Sequence, residues 1–121
     1  MFDTGALIAF ERNDRRVRTL VALALEHGLA IHVPAAVVAQ AWRDGRKQVR
    51  LARLIGSGRL AIQALDTEEA KAAGALCGRS RTRDIVDASV ALLARRHGAT
   101  VVTNDPDDLR CIDPGLVLVT C

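Results

Sequence analysis

The sequence predicts an α/β fold for a single domain over residues 1–121, with a central parallel sheet of four to five strands and helices on both faces. Short aliphatic runs alternate with segments of helical periodicity, which is the pattern of strand–helix–strand units with right-handed crossovers. Hydrophobic residues make up 50% of the chain and aromatic residues only 2%. Small aliphatic side chains therefore build the core, as they do in buried parallel strands. A length of 121 residues suffices for one core.

The N-terminal part predicts a short strand followed by two helices. Met1 and Phe2 are either the stub of a first strand or the end of a strand that begins upstream in the natural chain. Residues 4–10 can start a helix with Asp3 or Thr4 as its N-cap. A second helix over residues 15–27 is indicated by apolar side chains at helical spacing and by Gly28 at its end.

Residues 29–33 predict a strand, and Pro34 is suited to the first turn of the helix after it. That helix should direct Val37, Val38 and Trp42 inward, so that Trp42 lies in the core or in an interface.

Basic side chains recur at spacings of three and four between residues 43 and 53. If this segment is helical, they form one basic stripe, made of Arg43, Arg46, Lys47, Arg50 and Arg53. The stripe is either an ordinary solvated face or a surface for phosphate groups. The net charge of +3 and the preference for Arg are compatible with an anionic polymer as partner. Residues Arg43, Arg46, Lys47 and Arg50 are thus candidate contacts for the phosphates of such a polymer.

The second half continues the alternation of strands and helices. A strand is predicted over residues 59–65, a helix from Asp66 or Thr67 to about residue 77, and an Arg-rich loop over residues 78–83. The next helix is apolar around its circumference, which indicates burial. A strand over residues 100–103, a turn over residues 105–108 and an edge strand over residues 116–119 complete the prediction.

Four carboxylates are expected to meet at one end of the sheet: Asp3, Asp84, Asp87 and Asp105. Asp3 and Asp105 directly follow the first and fourth predicted strands, whose carboxyl ends form the edge where open α/β sheets bind ligands. Asp84 and Asp87 head the buried helix. Each has an ordinary structural explanation, since Asp84 and Asp87 fit a capping arrangement and Asp105 fits an Asx turn. Only their convergence favours function.

Carboxylates held about 4 Å apart repel by about 4 kcal/mol at an effective dielectric near 20, and a divalent cation turns that repulsion into attraction. All-oxygen ligands favour Mg²⁺ or Mn²⁺, and no His or Cys spacing supports a zinc site. A metal held in this way can activate water for attack on a phosphodiester.

The three cysteines, Cys77, Cys111 and Cys121, are odd in number and have no Cys-x-x-Cys spacing. We therefore expect free thiols in a reducing, cytoplasmic compartment. No apolar run reaches the length of a membrane span, so we expect no membrane partner.

Four segments resemble the successive motifs of PIN-domain ribonucleases, and most closely those of VapC-type toxins of type II (VapBC) toxin–antitoxin systems. They are DTGALI at residues 3–8, VPAAVVAQAWR at residues 33–43, DIVDA at residues 84–88 and VTND at residues 102–105. The resemblance implies a PIN-like (Rossmann-like) three-layer domain and a metal-dependent endoribonuclease that hydrolyses RNA. It also implies a small VapB-type antitoxin as partner and, commonly, a homodimer.

Carried over by position, Asp3, Asp87 and Asp105 match the acidic motif residues, with Asp84 as an accompanying acid and Thr4 or Thr103 as supporting residues. The family usually has a Glu where this chain has Gln40. An amide oxygen can bind a metal but carries no charge and cannot act as a base.

Two alternatives to a nuclease follow from the sequence. One is a PIN-fold module that binds RNA or antitoxin but no longer cleaves, which Gln40 would explain. The other is a phosphatase-like hydrolase, which is disfavoured because no second Asp closely follows Asp3 and no Gly-rich phosphate loop is present.

Overall fold

The computed structural model describes residues 1–121 and contains seven helices around short parallel strands. The helices are α1 (Thr4–Glu11), α2 (Arg15–Glu26), α3 (Ala35–Ala41), α4 (Val49–Gly56), α5 (Thr67–Ser80), α6 (Ile85–His97) and α7 (Pro106–Ile112). The strands are β1 (Ile31–Pro34), β2 (Leu60–Gln63), β3 (Val101–Thr103) and β4 (Leu118–Thr120). The predicted α/β class is confirmed. No helix is long and apolar enough to cross a membrane.

Phe2 joins two pairs of strands into one parallel arrangement. Strand β1 pairs with β2, and β3 pairs with β4. Phe2 forms a parallel bridge with Val102, and its N–H donates to the carbonyl oxygen of His32 at 3.0 Å. The spatial order is therefore β2, β1, Phe2, β3, β4. The predicted first strand is a stub, and the predicted last strand lies at the edge.

The core consists of aliphatic side chains from both faces of this arrangement. Helix α6 is the most deeply placed element, with six buried residues, including Val90 and Leu93. Leu7 of α1 and Leu51 of α4 are fully buried in the same cluster. This burial fixes the starts of α1 and α6, and so the positions of Asp3 and Asp87, relative to the strands.

The predicted basic helix stripe over residues 43–53 is wrong. Arg43, Arg46 and Lys47 lie in the connection before α4, while only Arg50 and Arg53 are helical. Gln48 stabilises this connection: its Oε1 accepts from the backbone N–H groups of residues 43 and 44, and its Nε2 donates to the Ala41 carbonyl. A side chain that bonds the backbone in this way competes with helix formation.

Three further predictions need correction. Of the two placements predicted for Trp42, the core is wrong, because Trp42 lies beyond the end of α3, is 38% exposed and covers Gly45. Its placement in an interface stays a prediction. The predicted turn over residues 105–108 is the start of α7, with Pro106 in its first turn. The predicted loop over residues 78–83 is shorter, because α5 continues to Ser80 and ends at Arg81 in a left-handed conformation (φ 55°).

Candidate metal centre

Two pairs of carboxylates occupy equivalent places at the starts of α6 and α7. Asp84 is the N-cap of α6 and Asp87 is its third residue, and the Asp84 carboxylate accepts the Asp87 N–H at 2.9 Å. Asp105 is the N-cap of α7 and Asp108 is its third residue. Helix N-termini favour negative side chains, so this placement offsets part of the cost of clustering them.

Asp3 is the buried member of the site. It is only 6% exposed, and its carboxylate accepts the Ala6 N–H at 2.9 Å as the N-cap of α1. Burial raises its pKa, hydrogen bonds from Thr103, Ala6 and Gly5 lower it, and the charge of Asp105 raises it further. Asp3 thus caps α1, as the sequence predicts. Its carboxylate is also affected by the charge of Asp105.

Thr103 connects the acids that follow the two strands. Its Oγ1 accepts the Asp105 N–H at 2.9 Å, and the same hydroxyl hydrogen-bonds to Asp3. Thr103 is completely buried, so this connection is rigid. Thr4 has a different role, because its hydroxyl donates to Gln40.

Burial and neighbouring carboxylates raise the pKa values of Asp3, Asp87 and Asp108. The pKa of Asp87 is raised to about 7, and burial is the largest cause. Asp84 raises it further through its charge and a hydrogen bond, and the charges of Asp108 and Asp3 add smaller contributions. The pKa of Asp108 is raised mainly by its hydrogen bond with Asp105 and by the charge of Asp105. Strongly perturbed carboxylates in a cleft are typical of functional sites.

None of these acids is neutralised by a basic side chain. The ion pairs of the chain are Arg95–Asp113, Arg96–Glu69 and Arg110–Asp107, and they involve other carboxylates. Asp84, Asp87 and Asp108 line a cavity of about 170 Å³ together with Thr82 and Cys111. The site is therefore an uncompensated negative cleft.

The donor set fits a hard divalent cation, because it consists of carboxylates that form no ion pair with a basic side chain. The side chains do not form a complete metal site, because no group of three His, Cys, Asp or Glu side chains is arranged so that it could hold a metal ion. Asp84, Asp105 and Asp108 are exposed. Their side chains would have to rotate toward Asp87 and Asp3 for such a site to form.

Asp108 is the site residue that sequence reasoning missed. It had been assigned to turn chemistry, although Asp105 and Asp108 repeat the spacing of Asp84 and Asp87 and Pro106 is a common first residue of a helix. That repeated spacing was the signal that could have identified it.

Gly5 is required for the close approach of Asn104 to α1. A Cβ at position 5 would overlap the side chain of Asn104, which precedes Asp105. For the RNA cleavage that the motif resemblance implies, we expect Gly5→Ala to shift Asn104 together with the adjacent Asp105 and to reduce the rate by roughly tenfold, because small displacements of reacting groups are costly. The free energy of unfolding should change by less than about 1 kcal/mol, since Asn104 is exposed and can rotate.

Gly74→Ala is the matched control for Gly5→Ala. Gly74 lies within α5 with open space around it, so this change should leave cleavage unaltered and stabilise the protein by roughly 0.5–1 kcal/mol. Cleavage rates and chemical denaturation of both variants test the expectation. Unchanged cleavage by Gly5→Ala would show that the contact between Asn104 and Gly5 does not position Asp105.

The comparisons with known proteins agree with this fold. The PIN domain family model matches residues 1–113. Among solved structures, the chain is similar to the crystal structure of VapBC2 from Rickettsia felis bound to a DNA fragment from their promoter, with a TM-score of 0.71 and 19% identity over 100% of this chain and 97% of that chain. No curated protein matches. The family resemblance seen in the sequence motifs is confirmed, and the chain belongs to the PIN domain family.

Proposed function

We propose that this chain is a VapC-type toxin, an endoribonuclease that depends on Mg²⁺ or Mn²⁺ and is neutralised by a VapB-type antitoxin. The main support is the set of uncompensated carboxylates, with the pKa of Asp87 raised to about 7, at the site where the PIN motifs converge. The likeness to VapBC2 supports the toxin–antitoxin assignment. Asp3, Asp84, Asp87 and Asp105 would hold the metal, and Asp108 is added to the candidates.

When bound, the metal supplies a water of lowered pKa and a positive charge for the phosphate. The protein would supply the geometry: α1 and α6 carry Asp3 and Asp87, and the Thr103 hydroxyl joins the Asp3 carboxylate to the backbone N–H of Asp105.

RNA contacts are proposed for Arg43, Arg46, Lys47 and Arg50. Arg46 and Lys47 are exposed and form no ion pair, which leaves their charges available to phosphates. Arg43 is partly engaged, because it donates to the carbonyl oxygens of Ala39 and Trp42.

We also propose a homodimer and a cytoplasmic location. Exposed apolar side chains such as Leu29 (62%) and Val117 (64%) are surfaces that association could cover. Three free cysteines, Cys77, Cys111 and Cys121, support a reducing compartment.

Asp3→Asn should abolish cleavage without unfolding the domain. The amide keeps the Ala6 N–H bond to a side-chain oxygen but removes the charge that would bind the cation. The purified chain is incubated with a total RNA pool, with and without Mg²⁺ or Mn²⁺, the RNA ends are mapped, and circular dichroism checks the fold. A variant that still cleaves RNA in the presence of a chelator would refute the metal role.

The second candidate is a PIN-fold module that binds RNA or antitoxin without cleaving. The neutral Gln40 and the open arrangement of the acids favour it. It predicts salt-dependent RNA binding by the wild-type chain and no metal-dependent product in the same experiment.

A further inference from the structure

Two histidines lie face to face where the last turn of α6 meets β1. His32 belongs to β1, and His97 is the last residue of α6. Their ring centroids are 3.9 Å apart, and the ring planes differ by only 13°. The acids of the candidate metal centre begin α6, so a helix of 13 residues separates the histidine pair from them. The pair is therefore a cluster of titratable groups outside that centre.

A positive charge on both rings would be uncompensated. Neither histidine forms an ion pair with a carboxylate, and the two nearest arginines of α6 are already engaged in the pairs Arg95–Asp113 and Arg96–Glu69. The pKa of His32 is lowered by burial, by the charge of His97 and by the N-terminal ammonium of Met1. No acidic group raises it, so the folded protein favours the neutral form of His32.

The parallel rings do not form a metal site. An imidazole binds a metal through a nitrogen lone pair that lies in the plane of its ring. Two rings stacked with nearly parallel planes cannot direct such lone pairs at one ion. The contact is therefore a stacking interaction between two titratable rings.

We propose that His32 and His97 form an acid-sensitive latch, which holds the last turn of α6 on β1 until both rings are protonated. Rings that carry one charge or none attract each other when stacked, whereas two unit charges at this distance repel even at the dielectric of a protein surface. His97 is exposed and is followed by Gly98 in a left-handed conformation (φ 57°). The last turn can thus leave β1 without exposing the buried part of α6.

The sign of the pH dependence follows from the lowered pKa of His32. The unfolded chain binds this proton more tightly than the folded protein does, so protonation of His32 opposes folding. The stability that the latch contributes is fully present above the ordinary pKa of 6.5 and is lost as pH falls below it. Asp87 acts in the opposite direction, because its pKa is raised.

Titration of the histidine ring resonances by NMR tests the coupling of the two rings. His97→Gln should raise the pKa of His32 toward 6.5, because it removes a neighbouring charge. His27→Gln is the matched control, since His27 is an exposed histidine at the end of α2, outside the pair, and it should leave the titration of His32 unchanged. If His97→Gln also leaves it unchanged, the proposal is wrong.

Hydrogen exchange tests the opening of the latch. The amides of residues 95–98 should exchange roughly threefold faster at pH 5 than at pH 8 relative to those of residues 88–91, which lie in the buried part of the same helix, once intrinsic rates are corrected for pH. This relative change should be absent from His97→Gln and from His32→Gln. Coupled titration without faster exchange of the last turn would show repulsion between the rings but no latch, and would overturn the proposal.

Thermal melts give an independent measure. Between pH 8 and pH 5, the change in melting temperature of the wild type should be less favourable than that of His97→Gln by about 2–4 °C. Both proteins carry the same carboxylates, so the contribution of these acids cancels in the comparison. Equal pH dependence of the two proteins would refute the latch. The metal-free chain is used without RNA, so these results do not depend on the proposed nuclease activity.

Discussion

Replacing Asp87 by Asn is expected to abolish RNA cleavage and, above neutral pH, to make the metal-free protein more stable than the wild type. The second effect follows from the raised pKa of Asp87, which is about 7 instead of the ordinary 3.8 because of burial and the neighbouring charges of Asp84, Asp108 and Asp3. That difference corresponds to roughly 4 kcal/mol of unfavourable interaction of the ionised form. Solvent screening of a half-buried group reduces it to about 1–2 kcal/mol.

The sign of the pH dependence is fixed by the raised pKa. The folded protein binds the Asp87 proton more tightly than the unfolded chain does, so this residue lowers stability progressively as pH rises from about 4 to about 7. The melting temperature of Asp87→Asn should therefore exceed that of the wild type most at pH 8, by roughly 5 °C, and less at pH 5.

Thermal melts of both proteins at pH 5 and pH 8, with and without Mn²⁺, provide the measurement. Mn²⁺ should raise the melting temperature of the wild type at pH 8, because a ligand stabilises the state that binds it, and should have little effect on Asp87→Asn. A variant that melts below the wild type at pH 8 would mean that Asp87 serves chiefly as a helix-capping residue.

Leu93→Ala should give the largest loss of stability, about 2–5 kcal/mol. Leu93 is 1% exposed and lies in the principal core cluster on α6, so its truncation leaves a cavity that the surrounding side chains cannot fill. The melting temperature should fall by roughly 10 °C. Leu23→Ala is the matched control, because Leu23 is 45% exposed, and it should cost less than about 1 kcal/mol.

Urea denaturation of the two leucine variants gives both free energies. Leu93 lies on the helix that carries Asp87, so unfolding of the variant removes Asp87 from the site. Cleavage by Leu93→Ala should therefore persist at low temperature, where the variant is folded, and be lost as it unfolds. A loss below about 1 kcal/mol would contradict the close packing of α6 against the strands.

The order of the elements could be predicted because it depends on hydrophobic periodicity, and the approach of Asp105 to Asp3 could be predicted because it depends on a topological rule. Strand β3 and helix α6 are apolar enough to be recognised alone, and parallel strands bring Asp3 and Asp105 to one edge. These inferences require no knowledge of individual contacts.

The predictions that failed depend on single side chains. The predicted basic stripe does not form because Gln48 makes three hydrogen bonds with the backbone before α4. The spacing of charged residues does not reveal these bonds. The sequence of residues 105–108 is as common in turns as at the start of a helix, so local sequence does not distinguish the two. In the structure the segment begins α7. The engagement of Gln40 by Thr4 joins residues 36 positions apart, which no local pattern encodes.

The bridge between Phe2 and Val102 has a consequence for the protein during its synthesis on the ribosome. The N–H of Asp3 finds its partner only after residue 102 has been added, because it donates to the Val102 carbonyl. A nascent chain released early would lack both Asp105 and the strand that anchors Asp3. Translation therefore delays the proposed activity until the segment that carries Val102 and Asp105 has been made.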